Sequence, residues 1–449
     1  MNSETDQPAA DVPGALLPAG AEHLGLVDEV DLEPVELIRQ SGTVQAVGRL
    51  ALAAGHGSYR VKSHMERVGT ALGLEAVKAH VALTEITTTS VRDEIFRTEV
   101  SEVRTVGINA DRLAELENYV GGLPSRMNVE SIEAELDRIR EKPPLYPGWA
   151  NAAFAGVACG AFAFLNHGGP VEILGAILAA GFGQFLRRRL IHLGINQFGV
   201  TMLAAAVACL VYLGFVEAAG TAFTLYGGHE AGYVSAVLFL VPGFPMVTGA
   251  LDLARLDFSA GISRLTYALM ILSTAALSLW AVSAVAGMTP DPGLVSGDPT
   301  PVVRWILVTV ASWVGVFGFA LMFNSPLRMA LGAAAIGMVA NLGRLVLIEV
   351  LNVAPQAAAA IAALLVGLLA RAIATRLRVP RLTISVPAVV IMLPGVTAYR
   401  AVFEFNAGNS VGALGFAADA ALVVVGVAIG LAMARMLTDR EWTFEQVRG

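Results

Sequence analysis

Across residues 150–449 the apolar side chains come in unbroken runs rather than in stripes, roughly at 150–166, 171–186, 198–216, 232–251, 262–287, 303–323, 327–348, 357–375, 384–404 and 411–436. A helix needs about 17–25 apolar residues, at about 1.5 Å each, to cross a hydrocarbon core about 30 Å thick. The pattern therefore predicts ten transmembrane helices. Residues 43–149 read differently. Helical spacing at 43–55 and 57–73 gives way to alternation at 79–90 and 94–106, rich in Val, Thr and Ile, which predicts a hairpin. Helical spacing returns at 109–121 and 129–141, with Asn128 as a cap and Pro143-Pro144 as a stop. The expected fold class is mainly α, a polytopic membrane protein of ten transmembrane helices preceded by a small cytoplasmic α+β domain. Its parts are a flexible acidic segment (1–42), the α+β domain (43–149), a first five-helix half (150–287), a linker (288–302), a second five-helix half (303–436) and a cytoplasmic tail (437–449).

Composition agrees with this division. The chain of 449 residues is 55% hydrophobic and 15% charged, with a mean hydropathy of +0.64, which excludes a disordered, collagen-like or disulfide-built protein. The net charge of -7 hides a split: residues 1–149 hold 14 Lys+Arg against 24 Asp+Glu, and residues 150–449 hold 16 against 13. Arginine gives the direction of the runs. Connections after the second, fourth, sixth, eighth and tenth runs carry Arg187-Arg188-Arg189, Arg255 with Arg264, Arg328, then Arg376, Arg378 and Arg381, and Arg440, while the other connections have no Lys or Arg. The positive-inside rule then places both termini in the cytoplasm. The acidic opening does not read as a secretory signal, and none is expected. Cys159 and Cys209 fall inside predicted spans and read as small apolar fillers, not as metal ligands.

The chain repeats itself. Leu240 to Pro245 reads Leu-Val-Pro-Gly-Phe-Pro and Met392 to Thr397 reads Met-Leu-Pro-Gly-Val-Thr, with Pro242 and Pro394 152 residues apart. Each Pro is followed ten residues on by a carboxylate, Asp252 and Glu404. A second likeness runs from Asn166 to Ala176 and from Asn324 to Ala333, with one residue fewer. Five spans per half make the halves inverted relative to each other, the architecture of secondary transporters with a midplane site at interrupted helices.

At these residues the sequence resembles the threonine/serine exporter family of bacterial inner-membrane proteins. The likeness rests on Gly48 to Lys62 with Met65-Glu66-Arg67, on Ala71 to Leu74, on Leu240 to Pro245, and on Val386-Pro-Ala and Leu393-Pro-Gly395. It implies proton-driven export of threonine and serine. Some members divide their halves between two polypeptides associated with succinate export, and this chain resembles the fused form.

The energy source follows from what is missing. Lys62, Lys78 and Lys142 are the only lysines, and none follows Gly in a phosphate-cradling loop, so a gradient is expected rather than ATP. Intramembrane carboxylates are costly and are the natural proton carriers. Asp419 lies deepest in apolar sequence, while Asp252 and Glu404 suit gates at opposite faces, with Arg255 and Arg400 as partners. For the substrate, broken-helix groups at Pro242, Gly243, Pro394 and Gly395, hydroxyls of Thr248 and Thr397, and amides of Asn166 and Asn324 are the expected contacts. A dicarboxylate would look for a cation to Arg344, Arg371 or Arg400. His56, Arg60 and His64 share one helical face beside Tyr59, and no hydrolase, zinc-protease or dinucleotide motif accompanies them. No enzyme activity, cofactor, metal or nucleic acid is expected. The expected partners are a small-molecule substrate, namely an amino acid, and the lipid bilayer. A homodimer, dicarboxylate export and a membrane-embedded enzyme or sensor stay open as alternatives.

Overall fold

The computed structural model describes residues 35–103, 107–222, 230–287 and 300–443. Residues 1–34 of the expected flexible segment, most of the 288–302 linker and the end of the tail lie outside the described residues.

The first part builds helices α1 (Val35–Ala54) and α2 (Ser58–Ala71), strands β1 (Ala76–Val81), β2 (Glu85–Arg92) and β3 (Ile95–Glu102), and helices α3 (Ala110–Gly121) and α4 (Val129–Glu141). Helix α1 starts inside the stretch expected to be flexible. Leu37 is fully buried in the domain core and Gln40 donates to the Leu72 carbonyl at 3.0 Å, so these residues gain contacts that an irregular segment lacks. The alternating stretch 79–90 is two strands, not one: a short turn follows Val81, and the buried positions pass from odd numbers in β1 to even numbers (Ile86, Thr88, Ser90) in β2. The three strands form an antiparallel meander in the order β1-β2-β3, with Val81 opposite Ile86 and Arg92 opposite Ile95. Side chains of Asn109 and Asn128 cap α3 and α4 by accepting from the Arg112 and Ser131 N–H groups, each at 3.1 Å.

The second part is a helical bundle: α5 (Gly148–Leu165), α6 (Pro170–His192), α7 (Gln197–Ala222), α8 (Glu230–Ser235), α9 (Gly243–Ala254), α10 (Phe258–Val285), α11 (Pro301–Met322), α12 (Leu327–Glu349), α13 (Pro355–Leu377), α14 (Arg381–Val390), α15 (Gly395–Asn406) and α16 (Ser410–Thr438). Seven of these helices are long and apolar enough to cross a membrane. Two bent pairs, 231–240 with α9 and α14 with α15, bring the number to nine if each counts as one span. Helix α6 falls short of that apolarity, carrying Glu172, Gln184 and three consecutive arginines. The chain is thus mainly helical and polytopic.

The two bends are the same turn. Pro242 has φ -81° and ψ 62°, Pro394 has φ -83° and ψ 64°, the inverse γ-turn region. In each, the glycine N–H returns to the carbonyl two residues back, Gly243 to Val241 at 2.9 Å and Gly395 to Leu393 at 3.0 Å. Proline has no N–H to leave unpaired and its ring presets φ, so the break leaves few unpaired backbone groups. The axes bend by 67° and 53°. The turns entering α6 and α12 also match: Gly168 donates to Ala163 and Ser325 to Ala320, around left-handed residues His167 (φ 68°) and Asn324 (φ 61°). His167, not Asn166, is therefore the counterpart of Asn324.

Small residues let the helices approach. A Cβ on Gly156 would lie 2.5 Å from the Ile177 carbonyl oxygen, and one on Gly426 would lie 2.5 Å from that of Gln356. A Cβ on Gly415 meets nothing within 4 Å. Gly426→Ala should therefore cost about 1–3 kcal/mol through overpacking of α16 on α13. Gly415→Ala should be neutral or slightly stabilising by helix propensity. Melting of the purified protein in detergent checks this, and equal melting of both variants would contradict the packing.

Candidate functional site

The domain is joined to one end of the bundle by a continuous core, since Ala54 and Leu113 belong to the same buried cluster as the bundle helices. Polar contacts tie the seam. Asn324 donates to the Asn109 side chain at 2.8 Å, accepts from the Leu145 N–H at 2.9 Å, and its carbonyl accepts from Asp111 N–H at 3.2 Å. Tyr146 Oη donates to the Ser325 carbonyl at 2.9 Å, and Lys62 pairs with Asp257 at 2.5 Å. Ser58 Oγ also donates to Asp257.

Above this seam the last turn of α9 carries Asp252, 3% exposed, whose carboxylate accepts from the Ser58 N–H at 3.4 Å and pairs with Arg264 at 3.2 Å. Arg264 is equally buried and donates onward to Thr248 Oγ1 at 3.1 Å and to the His56 carbonyl at 2.9 Å. The expected partner, Arg255, is elsewhere: its guanidinium lies 3.6 Å from the Tyr59 ring centroid and 5.2 Å from that of Trp442, and its Nη1 has no hydrogen-bond partner among the described residues. Arg255 lies past the end of α9, at its C-cap, and turns to the two aromatic rings, whereas the start of α10 folds Arg264 back onto Asp252.

Around Asp252 a cavity of about 40 Å³ is lined by Thr248, Arg60, Arg255, Arg381, Arg435 and Trp442, among others. Residues 35–149 and the ends of α9, α14 and α16 thus meet in one arginine-rich mouth. Four guanidiniums can hold a carboxylate, and Asp252 can accept from an ammonium. The volume accommodates waters but not an amino acid, so this mouth is closed. None of Arg344, Arg371 and Arg400 lines it. Arg344 instead donates to Asn341, which donates to Ser312 inside the second half.

A second cavity of about 480 Å³ lies between the bent pairs and helices α10 and α16, within the range of small-molecule sites. Its walls are apolar. Pro394 and Gly395 line it with Val241, Tyr399, Ala417 and Val424, and Ser273 is one of its few polar residues. The two bends touch across it: a Cβ on Gly243 would lie 2.6 Å from Val390 Cγ2, and one on Gly395 would lie 2.5 Å from Leu238 Cδ2. Val390 and Leu238 are each four residues before their own Pro, so the contact is reciprocal.

The expected site residues therefore do not share one place. Pro394 and Gly395 line the apolar cavity, and Pro242 and Gly243 lie in the facing bend. Thr248 and Asp252 line the mouth. Thr397 is half-buried in the first turn of α15. Asn324 clamps the domain and Asn166, at the other end of α5, donates weakly to Ser235 at 3.5 Å, so neither joins a midplane site. Glu404 lies at the far end, accepting from Asn409 at 2.8 Å, with Arg400 one turn away on α15. Asp419 is exposed on α16. Arg264 and Arg381 entered the sequence reading only as arginines that set the topology, and Arg435 and Trp442 not at all, because only folding brings the four to Asp252. Glu117 escaped it too. It accepts from His64 Nε2 at 3.2 Å and meets Arg60 at 3.5 Å. Although burial opposes this, those partners hold its carboxyl down at about 2.

Residues 43–286 match the family profile described as "Putative threonine/serine exporter", and residues 308–437 match one described as "Threonine/Serine exporter, ThrE". The chain is 26% identical over 414 residues to the "Probable threonine/serine exporter" of Mycobacterium tuberculosis, covering 88% of this chain and 75% of that protein. It is 27% identical over 259 residues to the "Probable succinate transporter subunit YjjP" of Escherichia coli, covering 54% of this chain and 97% of that protein. No solved structure matches the chain.

Arg264 and Asp252 are each buried with the other as counter-ion. Removing one partner leaves an unpaired buried charge and should cost about 3–5 kcal/mol. Arg264→Leu should therefore melt well below the parent protein, and the double variant Asp252→Asn, Arg264→Leu should regain part of the loss. Additive losses in a double-mutant cycle would show that the pair is not coupled.

Proposed function

Because this chain belongs to the threonine/serine exporter family, whose members are membrane transporters and not enzymes, we propose that it exports threonine and serine across the bacterial inner membrane by alternating access of two inverted five-span halves. In this reading α6 completes ten spans, both termini are cytoplasmic, and the mouth beside the domain is the cytoplasmic entrance. The observation that carries it is the pair of bends: two Pro-Gly turns of the same dihedrals, each glycine seated on the other's preceding helix. A rocking motion of one half against the other needs such a contact, because it can slide without unpairing backbone groups.

The substrate reading rests on the mouth. A zwitterion presents a carboxylate to Arg381 and Arg435 and an ammonium to Asp252, and Thr248 is placed for a side-chain hydroxyl. The closed mouth and the larger inner cavity suit a resting state between openings. Proton drive is assigned to a carboxylate, Asp419 or Asp252, with Glu404 and Arg400 at the far gate. The excess of guanidinium over carboxylate at the mouth also favours a second reading, a dicarboxylate such as succinate, which matches the relative named as a succinate transporter subunit.

Counterflow into proteoliposomes of labelled threonine, serine and succinate, with and without a pH gradient, tests this. Exchange of threonine or serine supports the first reading, succinate alone supports the second, and silence for all three refutes both. Gly395→Leu should abolish exchange, and the milder Gly395→Ala should be rescued in part by Leu238→Ala, which vacates the space its Cβ needs. Asp419→Asn should uncouple transport from the pH gradient while sparing counterflow. Unchanged gradient dependence would leave the proton to Asp252.

A further inference from the structure

Beneath the mouth, inside the domain, His56, His64 and Glu117 converge from the α1–α2 turn, α2 and α3. One ligating atom from each lies within 4.8 Å of the other two. Both imidazoles are almost fully buried, His56 at 1% and His64 at 4% exposure, with ring centroids 4.9 Å apart and edge to face. Two buried ring nitrogens, His56 Nε2 and His64 Nδ1, have no hydrogen-bond partner among the described residues. Buried polar atoms are rarely left so, and two on neighbouring rings ask for a shared explanation.

The geometry narrows it. Each imidazole keeps one ring nitrogen without a partner, and both rings gather with the Glu117 carboxylate. Buried imidazole nitrogens collected around a carboxylate are the donor types that a borderline metal ion takes. Glu117 is supported, because Arg60 engages Oε1 and leaves Oε2 on the histidine side.

We propose that His56, His64 and Glu117 form a divalent transition-metal site, with zinc as its expected occupant, that locks α2 to α3 beneath the mouth. Two imidazoles and one carboxylate are a recognised zinc donor set, leaving a fourth position for water. Bonds of about 2.0–2.1 Å place tetrahedral ligand atoms roughly 3.4 Å apart, so the three side chains draw together on binding. The site bears on transport through His56 itself, whose carbonyl accepts from Arg264, the partner of Asp252. An ion here would hold that carbonyl, and with it the arginine, in place.

The test uses the full chain in detergent, stripped with chelator and reloaded with zinc alone. Equilibrium dialysis should give one tightly held zinc per chain at micromolar free metal, and cobalt in its place should show the visible absorption of a low-coordinate site. His56→Gln, His64→Gln and Glu117→Gln should each weaken binding at least as much as loss of an outer-shell partner does, about 10–100-fold. His80→Ala, at an exposed histidine on β1, should leave the stoichiometry unchanged. Melting of the metal-free variants guards against misfolding. Failure of the parent chain to hold zinc, or full binding by a folded His56→Gln, His64→Gln double variant, overturns the site.

Discussion

Inside a bilayer every backbone N–H and C=O needs a partner, because hydrocarbon offers none. This protein breaks two of its helices under that constraint. It manages by using the same device twice: proline brings no N–H to the break, and the following glycine returns its own to a carbonyl two residues back. The resulting 67° and 53° bends leave first-turn N–H groups of α9 and α15 without intrahelical acceptors, a supply of directed dipoles in an otherwise apolar interior. Glycine is required at both bends for a second reason. Leu238 and Val390 occupy the space where a Cβ would stand, so each bend holds the other at close range.

Polar chemistry is pushed to the edges by the same constraint. The large cavity is walled almost wholly by apolar side chains, whereas the arginines collect at the end of the bundle that carries the domain. The domain is part of that end rather than an attachment to it. Its buried core runs into the bundle through Ala54 and Leu113, and its Ser58 and His56 backbone groups are the hydrogen-bond partners of Asp252 and Arg264. A buried ion pair is weak evidence of stability but strong evidence of position. Neither member can leave without stranding the other, so any movement of α9 against α10 must be shared by the α1–α2 turn.

Much of this was legible in the sequence. Apolar runs long enough to span, arginines confined to alternate connections, Pro-Gly at 242 and 394, and the cap at Asn128 depend on a few neighbouring residues, and local physics decides them. The split of residues 79–90 into two strands and the start of α1 at Val35 were less so. The turn shows in the sequence only as a one-residue slip between Val81 and Ile86 in the alternation, and the burial that orders Leu37 comes from elements well downstream in the chain.

Sequence alone determined which residues are apolar, where helices must break and which carboxylates are candidates, because those properties travel with the residue and its neighbours. Tertiary structure alone decided the pairings. It gave Asp252 to Arg264, twelve residues on, rather than to Arg255, three residues on. It made Asn324 a clamp on the domain and set Asn166 at the opposite end of the bundle. It also brought His56 to Glu117 and Gly243 to Val390. Contacts between distant segments depend on how helices are placed against one another, and no short stretch of sequence holds that information.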